Sequence, residues 1–228
     1  MKTPVFYAPD RTGSLGYAID FLKDSGVAFA GVIDRSVTHV LLGVPAVAFE
    51  NIAETLSRDA ILIGGKLPST DFPSIDLLKD PDFLAENADI TARCAISLAA
   101  GKLPVTWKGL PVAVIGWGRI GKCLASLLKA QAAAVTVIAR KPETRAMVRA
   151  LGYAAADTDR DLQEFSVVFN TADNAGIQAP EESLSIDLAS RQGLMGDKVL
   201  WARGLPGKLA PKSAGRLIAE TVLRLLKL

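Results

Sequence analysis

At 228 residues, half of them hydrophobic and 22% charged, the chain can bury a sizeable core, which excludes an intrinsically disordered protein. No apolar run approaches the roughly 20 residues of a membrane span and the N-terminus lacks a signal-peptide pattern, so we expect a cytoplasmic protein with no membrane partner. The net charge of +2 combines an acidic first 90 residues with a basic stretch from residue 191 onward; because the basic residues are spread out, we expect small anionic ligands and no nucleic acid.

Apolar runs bounded by turn residues alternate with helix-period stretches, which predicts α/β structure with a parallel sheet covered by helices. In the first part of the chain, the predicted strands are Val5–Ala8, Ala28–Val32, His39–Leu42 and Ala60–Ile63, and the predicted helices are Ser14–Ser25 and Ala48–Ser57. Prolines interrupt the next stretch, and a long helix is predicted at Phe83–Gly101. We interpret residues 1–84 as a small flavodoxin-like lobe that caps the substrate.

A second α/β run follows. Its predicted strands are Val112–Ile115, Val135–Ala139, Val167–Asn170, Ser185–Leu188 and Val199–Trp201, with helices at Ile120–Lys129 and Glu143–Leu151. This order predicts a Rossmann domain with a doubly wound parallel sheet over residues 85–207. Apolar positions from Leu217 to Leu226 recur at helical spacing, so we expect a final helix within 208–228 that completes the first lobe, with a ligand cleft between the two lobes.

The segment "VIGWGRIGK" carries a Gly-x-Gly-x-x-Gly pattern between a predicted strand and a predicted helix, the context that a dinucleotide-binding turn requires. The first glycine permits the tight turn, the second leaves room for a pyrophosphate, and the third lets helix and strand pack closely. Unpaired amides at the helix N-terminus attract the phosphates. The expected cofactor-binding residues of this turn are Gly116, Trp117, Gly118, Arg119, Ile120 and Gly121.

The end of the second strand of this domain discriminates between the two nicotinamide cofactors. A site for NAD usually has Asp or Glu there, whereas this chain has Ala139, Arg140 and Lys141. Because two cations suit a 2′-phosphate, we expect NADP as the cofactor and consider NAD less favoured. The alternative is that Arg140 and Lys141 only solvate the loop before the next helix.

Ligands of parallel sheets bind beyond the carboxyl ends of the strands, so the segments Asn170–Gly176, Asp187–Gly193 and Arg203–Lys208 are expected to face the cofactor. Asn170 and Thr171 suit the nicotinamide ribose, although capping a turn is an equal alternative. The only histidine, His39, lies on a first-lobe strand and is interpreted as a core or edge residue. A proton relay would have to use Asp187, Ser190, Lys208, Ser213 or water, and Asp187 is equally suited to cap a turn.

Cys94 and Cys123 are the only cysteines, and both lie in predicted helices. Two thiols in such positions are typical of packed, reduced cysteines. We therefore predict neither a disulfide framework nor a metal site.

Residues 80–228 resemble the A subunit of dipicolinate synthase. The resemblance rests on "NADITARCAISLA", "VIGWGRIGK", "ARKPE", "VVFNT", "IDLAS" and, most specifically, the closing segment "GLPGKLAPKSAG". It implies an NADP-dependent oxidation in which a dihydropyridine dicarboxylate, or its hydrated tetrahydro precursor, is aromatised to pyridine-2,6-dicarboxylate. It also implies sporulation as the setting and a partner in the form of a flavoprotein-like B subunit, and we expect a homo-oligomer.

A substrate with two carboxylates requires fixed cations. The resemblance therefore suggests Arg191, Arg203, Lys208 and Lys212 as substrate ligands, with Ser213 beside them at a helix N-terminus. The chain departs from the family in its shorter first lobe and in Arg191–Gly193, where the family usually has a Pro-Gly-Gly run. Two alternatives follow from these departures: a catalytically silent or regulatory NADP-binding subunit, and a divergent oxidoreductase similar to 2-hydroxy-acid dehydrogenases.

Overall fold

The computed structural model describes residues 4–46 and 54–228 and divides into two compact units. The first contains Met1–Asn87 and Pro206–Leu228, and the second contains Ala88–Leu205. Most of the predicted helix Ala48–Ser57 lies outside the described residues; its last four residues, from Glu54 onward, are not helical. None of the helices in the described ranges is long and apolar enough to cross a membrane.

The regular elements follow one another with strands and helices alternating through most of the chain. Up to the middle of the chain they are β1 (Val5–Tyr7), α1 (Gly13–Asp24), β2 (Ala28–Phe29), β3 (His39–Leu41), β4 (Ile61–Gly64), β5 (Ser74–Asp76), a 3-10 helix (Leu77–Lys79) and α2 (Pro81–Ala100). The remaining elements are β6 (Pro111–Ile115), α3 (Arg119–Ala130), β7 (Ala134–Ile138), α4 (Pro142–Ala150), β8 (Ala154–Ala156), β9 (Val167–Asn170), β10 (Ile177–Gln178), β11 (Leu184–Asp187), β12 (Leu194–Met195), β13 (Leu200–Trp201), α5 (Leu205–Leu209) and α6 (Pro211–Leu226).

The first unit is built on a parallel sheet with the strand order β2-β1-β3-β4-β5. This is the flavodoxin-like order, as the sequence predicts. Buried aliphatic residues from β3, β4 and the loops between them, including Val40, Leu42 and Leu62, form a core on the sheet. The apolar side chains of these short runs therefore account for the fold of this unit.

Helix α6 belongs to the first unit. Pro211 occupies its first turn, where a missing N–H costs little. The helix packs against α1 at Gly215, where an added Cβ would lie 2.7 Å from the Cβ of Tyr17. Leu217, Ile218 and Val222 are buried on the apolar face that the helical spacing indicates.

His39 lies inside the first sheet, on β3 between β1 and β4, as the sequence analysis predicts. Its ring stacks on Phe6 with 4.8 Å between centroids, and its Nδ1 lies 2.8 Å from the Thr38 hydroxyl. Burial lowers the pKa of His39 below the ordinary value of 6.5. The neutral ring is therefore the form that this sheet accommodates.

This burial predicts a specific pH dependence of stability. The unfolded chain binds a proton at His39 more readily than the folded chain does. The contribution of the neutral His39 to the free energy of unfolding is therefore fully present above pH 6.5 and is lost as the pH falls below that value. Unfolding in denaturant at several pH values between about 5 and 7 measures the slope. As His39 is the only histidine, the His39→Gln variant should be flat over this range, and an unchanged slope in the variant would contradict the assignment.

The second unit contains a six-stranded parallel sheet with the order β13-β11-β9-β6-β7-β8. Numbered within the unit, this is the Rossmann order 3-2-1-4-5-6, which confirms the predicted fold class. The register aligns Ile115 with Asn170, Asn170 with Asp187, and Asp187 with Trp201. The carboxyl ends of β6, β9, β11 and β13 therefore lie side by side, with polar residues on β9 and β11.

Several elements were not predicted. Strand β8 consists of three alanines at the sheet edge, a residue type with weak strand preference, so no pattern indicated it. The pair β10 and β12 has only two residues in each strand. In the segment Arg203–Lys208, where no helix was predicted, α5 begins at Leu205 despite Pro206 and Gly207. Proline is tolerated in a first helical turn.

Candidate functional site

The turn between β6 and α3 has the geometry that its three glycines predict. Gly116 adopts a φ of +97°, and a Cβ there would lie 2.6 Å from the Thr171 hydroxyl. A Cβ at Gly121 would overlap the carbonyl oxygen of Gly116. By contrast, a Cβ at Gly118 would meet no atom within 4 Å. Gly116 and Gly121 are therefore required by the fold, whereas Gly118 leaves open space above the turn.

That open space lies at the start of α3. Gly118 is the N-cap residue and offers no side chain to the amides of the first helical turn. These amides and the helix dipole form a positive end that suits a phosphate or carboxylate. The turn can thus bind an anion through its backbone.

A pocket of about 390 Å³ adjoins this turn within the second unit. Its walls come from Gly116 and Trp117, from the segment Ala139–Lys141 after β7, and from the loop after β9 that contains Ala172 and Asp173. We call it the β6–β7 pocket. Its lining combines apolar strand ends with two cations, Arg140 and Lys141, and one carboxylate, Asp173. The two cations make it a suitable environment for a nucleotide with an anionic group.

Trp117 is part of the glycine turn and lines the β6–β7 pocket. Its ring meets Tyr153 edge to face, with 5.6 Å between centroids. Lys129 lies 4.5 Å from the centroid of Tyr153 and donates a hydrogen bond of 2.9 Å to the carbonyl of Gly152. These contacts hold the indole in place on the pocket wall and make it a natural fluorescence reporter for ligands.

Asp187, proposed from the sequence as a proton acceptor or a turn cap, is fully buried at the end of β11. Its Oδ2 accepts hydrogen bonds of 2.7 Å from the amides of both Gly193 and Leu194. Its Oδ1 accepts bonds from the Ala189 amide at 2.9 Å and from Asn170 Nδ2 at 3.0 Å. The carboxylate therefore organises the loop after β11, and four donors already occupy it.

Asn170 and Thr171 are likewise engaged within the protein. The buried Asn170 side chain also donates to the Ala172 carbonyl and accepts from the Ala172 amide, at 3.0 and 3.1 Å. The Thr171 hydroxyl donates to the Ile115 carbonyl at 2.9 Å. Since the loop that follows lines the β6–β7 pocket, these contacts favour a positioning role over direct contact with a ribose.

Gly193 joins the loops after β9 and β11. A Cβ at this position would lie 2.6 Å from the carbonyl oxygen of Ala172 and 2.6 Å from Asn170 Nδ2. Only glycine allows this approach. The loop that the Asp187 carboxylate holds therefore packs directly against the wall of the β6–β7 pocket.

Four of the predicted cofactor residues, Gly116, Trp117, Arg140 and Lys141, line the β6–β7 pocket. Trp117 and Ile120 are half-buried and Arg119 is exposed at the start of α3, while Arg140 and Lys141 are exposed at the pocket edge. The choice of NADP over NAD, which rests on Ala139, Arg140 and Lys141, stays a prediction. Sequence reasoning missed Thr144 and Thr158, which also line the pocket, because no motif marks them.

The residues predicted to bind substrate belong to both units. In the second unit, Ser190 and Arg191 are exposed after β11, and Arg203 lies 5.2 Å from the ring centroid of Trp201. The Arg191 amide donates to Asp173 at 3.0 Å. In the first unit, Lys208, Lys212 and Ser213 are exposed on α5 and the first turn of α6. Within residues 4–46 and 54–228, none of these cations forms an ion pair.

Comparisons with known proteins agree with this geometry. No family model matches the chain. The A subunit of dipicolinate synthase from Bacillus subtilis (strain 168) is 29% identical over 213 residues, which cover 85% of this chain and 67% of that protein.

Solved structures extend the comparison to the fold. The A subunit of dipicolinate synthase from Bacillus halodurans superposes with a TM-score of 0.82 at 24% identity, covering 98% of this chain and 97% of the other. A transhydrogenase from Sinorhizobium meliloti has a TM-score of 0.73 at 14% identity, covering 98% and 93%. The resemblance indicated by the closing motif is therefore confirmed: in sequence and in fold, this chain is similar to the A subunit of dipicolinate synthase.

Proposed function

We propose that the chain is an NADP-dependent oxidoreductase that aromatises dihydrodipicolinate to pyridine-2,6-dicarboxylate by loss of a hydride and a proton, or does the same to its hydrated tetrahydro precursor with the additional loss of one water molecule. The observation that carries this proposal is the β6–β7 pocket, which is lined by Gly116 and Trp117 of the glycine turn and by two exposed cations. The similarity to the A subunit of dipicolinate synthase supports the choice of substrate. The Rossmann strand order supports the choice of cofactor class.

The residues of the pocket fit NADP. The open space above Gly118 and the amides of the first turn of α3 suit the pyrophosphate, and Arg140 and Lys141 suit the 2′-phosphate. When bound, this cofactor supplies a hydride acceptor for the oxidation. The contribution of the chain is to bind and orient, with Asp187 and Asn170 fixing the loop beside the pocket.

Substrate binding requires the cations outside the pocket. We propose that the two carboxylates bind to cations drawn from Arg191, Arg203, Lys208 and Lys212, assisted by Ser213. Their exposure and lack of ion pairs in the described part of the chain support this role. Positive charge of this kind stabilises a dianionic substrate through charge-assisted hydrogen bonds.

The geometry changes the choice of proton acceptor. Asp187 has no solvent exposure and four hydrogen-bond donors around it, so we reassign it from catalysis to positioning. Ser190, Lys208 or a water molecule remains as the proposed acceptor of the ring proton. Because aromatisation provides a large driving force, the reaction makes modest demands on this base.

A second candidate is a nucleotide-binding subunit without catalysis of its own. The burial of Asp187 favours it, as does the placement of the only histidine inside the first sheet, because neither residue can serve as a base in the second unit. The third candidate, an enzyme similar to 2-hydroxy-acid dehydrogenases, lacks the histidine that such chemistry would use.

We further propose that the chain works with a flavoprotein-like B subunit, that it forms a homo-oligomer, that it acts in the cytoplasm and that it serves sporulation. The relative from Bacillus subtilis is named as a subunit, which supports a partner. Co-purification with the product of a neighbouring flavoprotein gene, together with the mass of the assembly in solution, tests both proposals of assembly.

Turnover tests the proposed reaction. Purified chain, with and without a B-type partner, is mixed with dihydrodipicolinate and NADP, and NADPH formation is followed by its absorbance. We expect NADPH to form, and we expect Lys208→Ala to slow the reaction while NADP affinity stays unchanged. NADP binding without any turnover would favour the silent subunit, and reduction of a 2-keto acid would favour the third candidate.

A further inference from the structure

Arg145 lies in α4, behind the two cations at the edge of the β6–β7 pocket. Its Nη1 donates to the carbonyls of Ala139 and Arg140 at 2.8 and 2.7 Å. The same nitrogen lies 2.8 Å from Oδ2 of Asp157, and the side chain is only 17% exposed. One guanidinium therefore joins the end of β7 to the end of β8.

These contacts fix two walls of the pocket at once. The two carbonyls that Arg145 binds belong to the residues just before Arg140 and Lys141 in the chain. Both of these cations line the pocket. Thr158 also lines the pocket, and its amide donates a hydrogen bond to Asp157 Oδ1 at 2.7 Å. Displacement of the guanidinium would therefore release the turn with the two cations and the segment with Thr158 together.

Arg145 is the ion-pair partner of Asp157 in the described residues, and the Asp157 side chain is 41% exposed. The Thr158 amide and the nearby guanidinium of Arg145 keep the pKa of Asp157 below its usual range, so it is an anion at neutral pH. An anion next to the pocket would repel a phosphate if its partner were removed. An unpaired carboxylate is also the group that commonly binds a free ribose diol.

The three cations therefore differ in their availability. Arg145 has its charge neutralised and its Nη1 occupied, whereas Arg140 and Lys141 are exposed and form no ion pair within the described ranges. We expect a ligand phosphate to contact the two exposed cations, Arg140 and Lys141. The half-buried Arg145 would keep them in place and would mask Asp157.

We propose that Arg145 is a positioning residue that sets the preference of the β6–β7 pocket for a dinucleotide with a 2′-phosphate over one with a free ribose diol. This inference rests on the proposed function, because it assumes that the pocket binds a nicotinamide dinucleotide. It adds a determinant that touches no ligand itself and acts through the Ala139–Lys141 turn and Asp157.

Binding of NADPH and NADH to the full chain tests it, with tryptophan emission as the readout and thermal unfolding as the check of folding. We expect Arg145→Gln to weaken NADPH binding about tenfold or more, with NADH affinity changed by less than about threefold. Arg149→Gln is the matched control, since Arg149 is an exposed arginine near the end of the same helix. It should leave both affinities unchanged.

A second change separates positioning from loss of structure. If the unmasked Asp157 repels the phosphate, the double variant Arg145→Gln, Asp157→Asn should recover a measurable part of the NADPH affinity. The single variant Asp157→Asn retains the carbonyl contacts of Arg145, so its NADPH affinity should be equal to or above that of the parent. It keeps the proposal testable even where Arg145→Gln fails to fold.

The outcomes are distinguishable. A parent that prefers NADPH, with an Arg145→Gln variant that keeps the same preference, overturns this inference and leaves the proposed function standing. An equal loss of both nucleotides in Asp157→Asn also overturns it. A parent that binds neither nucleotide, or prefers NADH, overturns the proposed cofactor and this inference together.

Discussion

Replacement of Asp187 by alanine is expected to lower the free energy of unfolding by about 3–5 kcal/mol. The carboxylate is fully buried and accepts four hydrogen bonds, three from backbone amides and one from Asn170. Without it, the amides of Gly193 and Leu194 remain buried with no acceptor, and each such group costs about 1–3 kcal/mol. Denaturant unfolding of parent and variant measures the loss.

A shape-preserving variant and a control separate this effect from mere truncation. Asp187→Asn keeps the volume but presents an NH2 group to amides that need an acceptor, so it should also destabilise the second unit. Asp173→Asn removes charge from an exposed carboxylate that accepts one hydrogen bond from the same loop, and it should change stability by less than about 1 kcal/mol. Equal stability of the Asp187→Ala variant and the parent would contradict the network.

Substitution of Gly118 is expected to separate nucleotide binding from folding. A Cβ at this position meets no atom of the protein within 4 Å, and the residue has a φ of −78° that alanine adopts freely. Gly118→Ala should therefore fold with nearly the parent stability. Because the added methyl occupies the space proposed for the pyrophosphate, we expect NADPH affinity to fall by about 10- to 100-fold.

The third glycine of the turn provides the contrast. A Cβ at Gly121 would overlap the carbonyl oxygen of Gly116 and lie 3.1 Å from the Thr171 hydroxyl. Gly121→Ala should lower the thermal unfolding temperature as well as the affinity, because helix and strand must move apart. Parent-like NADPH binding by Gly118→Ala would show that the pyrophosphate does not lie above this turn.

The sequence allowed the sheets and the glycine turn to be predicted because their signals are local. Apolar runs such as Val112–Ile115 and Val167–Asn170 are buried strands at the predicted positions. The spacing of Gly116, Gly118 and Gly121 implied distinct roles for each, and the surroundings of the three positions differ accordingly. Local patterns of this kind depend on backbone sterics and strand burial, which a sequence displays directly.

The rest of the site depends on contacts between residues that are distant in sequence. Nothing near Asp187 indicates that its carboxylate would meet Asn170, 17 residues earlier, rather than a ligand. The requirement for glycine at position 193 is recognised only from the structure, in which the Ala172 carbonyl approaches it closely. Arg145 gave no signal either, because a basic residue in a helix is usually solvated and its partner Asp157 follows a strand of three alanines that no pattern predicts.

A crystal structure of the chain with NADP and pyridine-2,6-dicarboxylate is the most direct test of the central claim. We predict the pyrophosphate at the amides that follow Gly118, the 2′-phosphate on Arg140 and Lys141, and the dicarboxylate on cations drawn from Arg191, Arg203, Lys208 and Lys212. A dinucleotide bound away from the glycine turn, or one whose 2′-phosphate contacts neither Arg140 nor Lys141, would contradict the account.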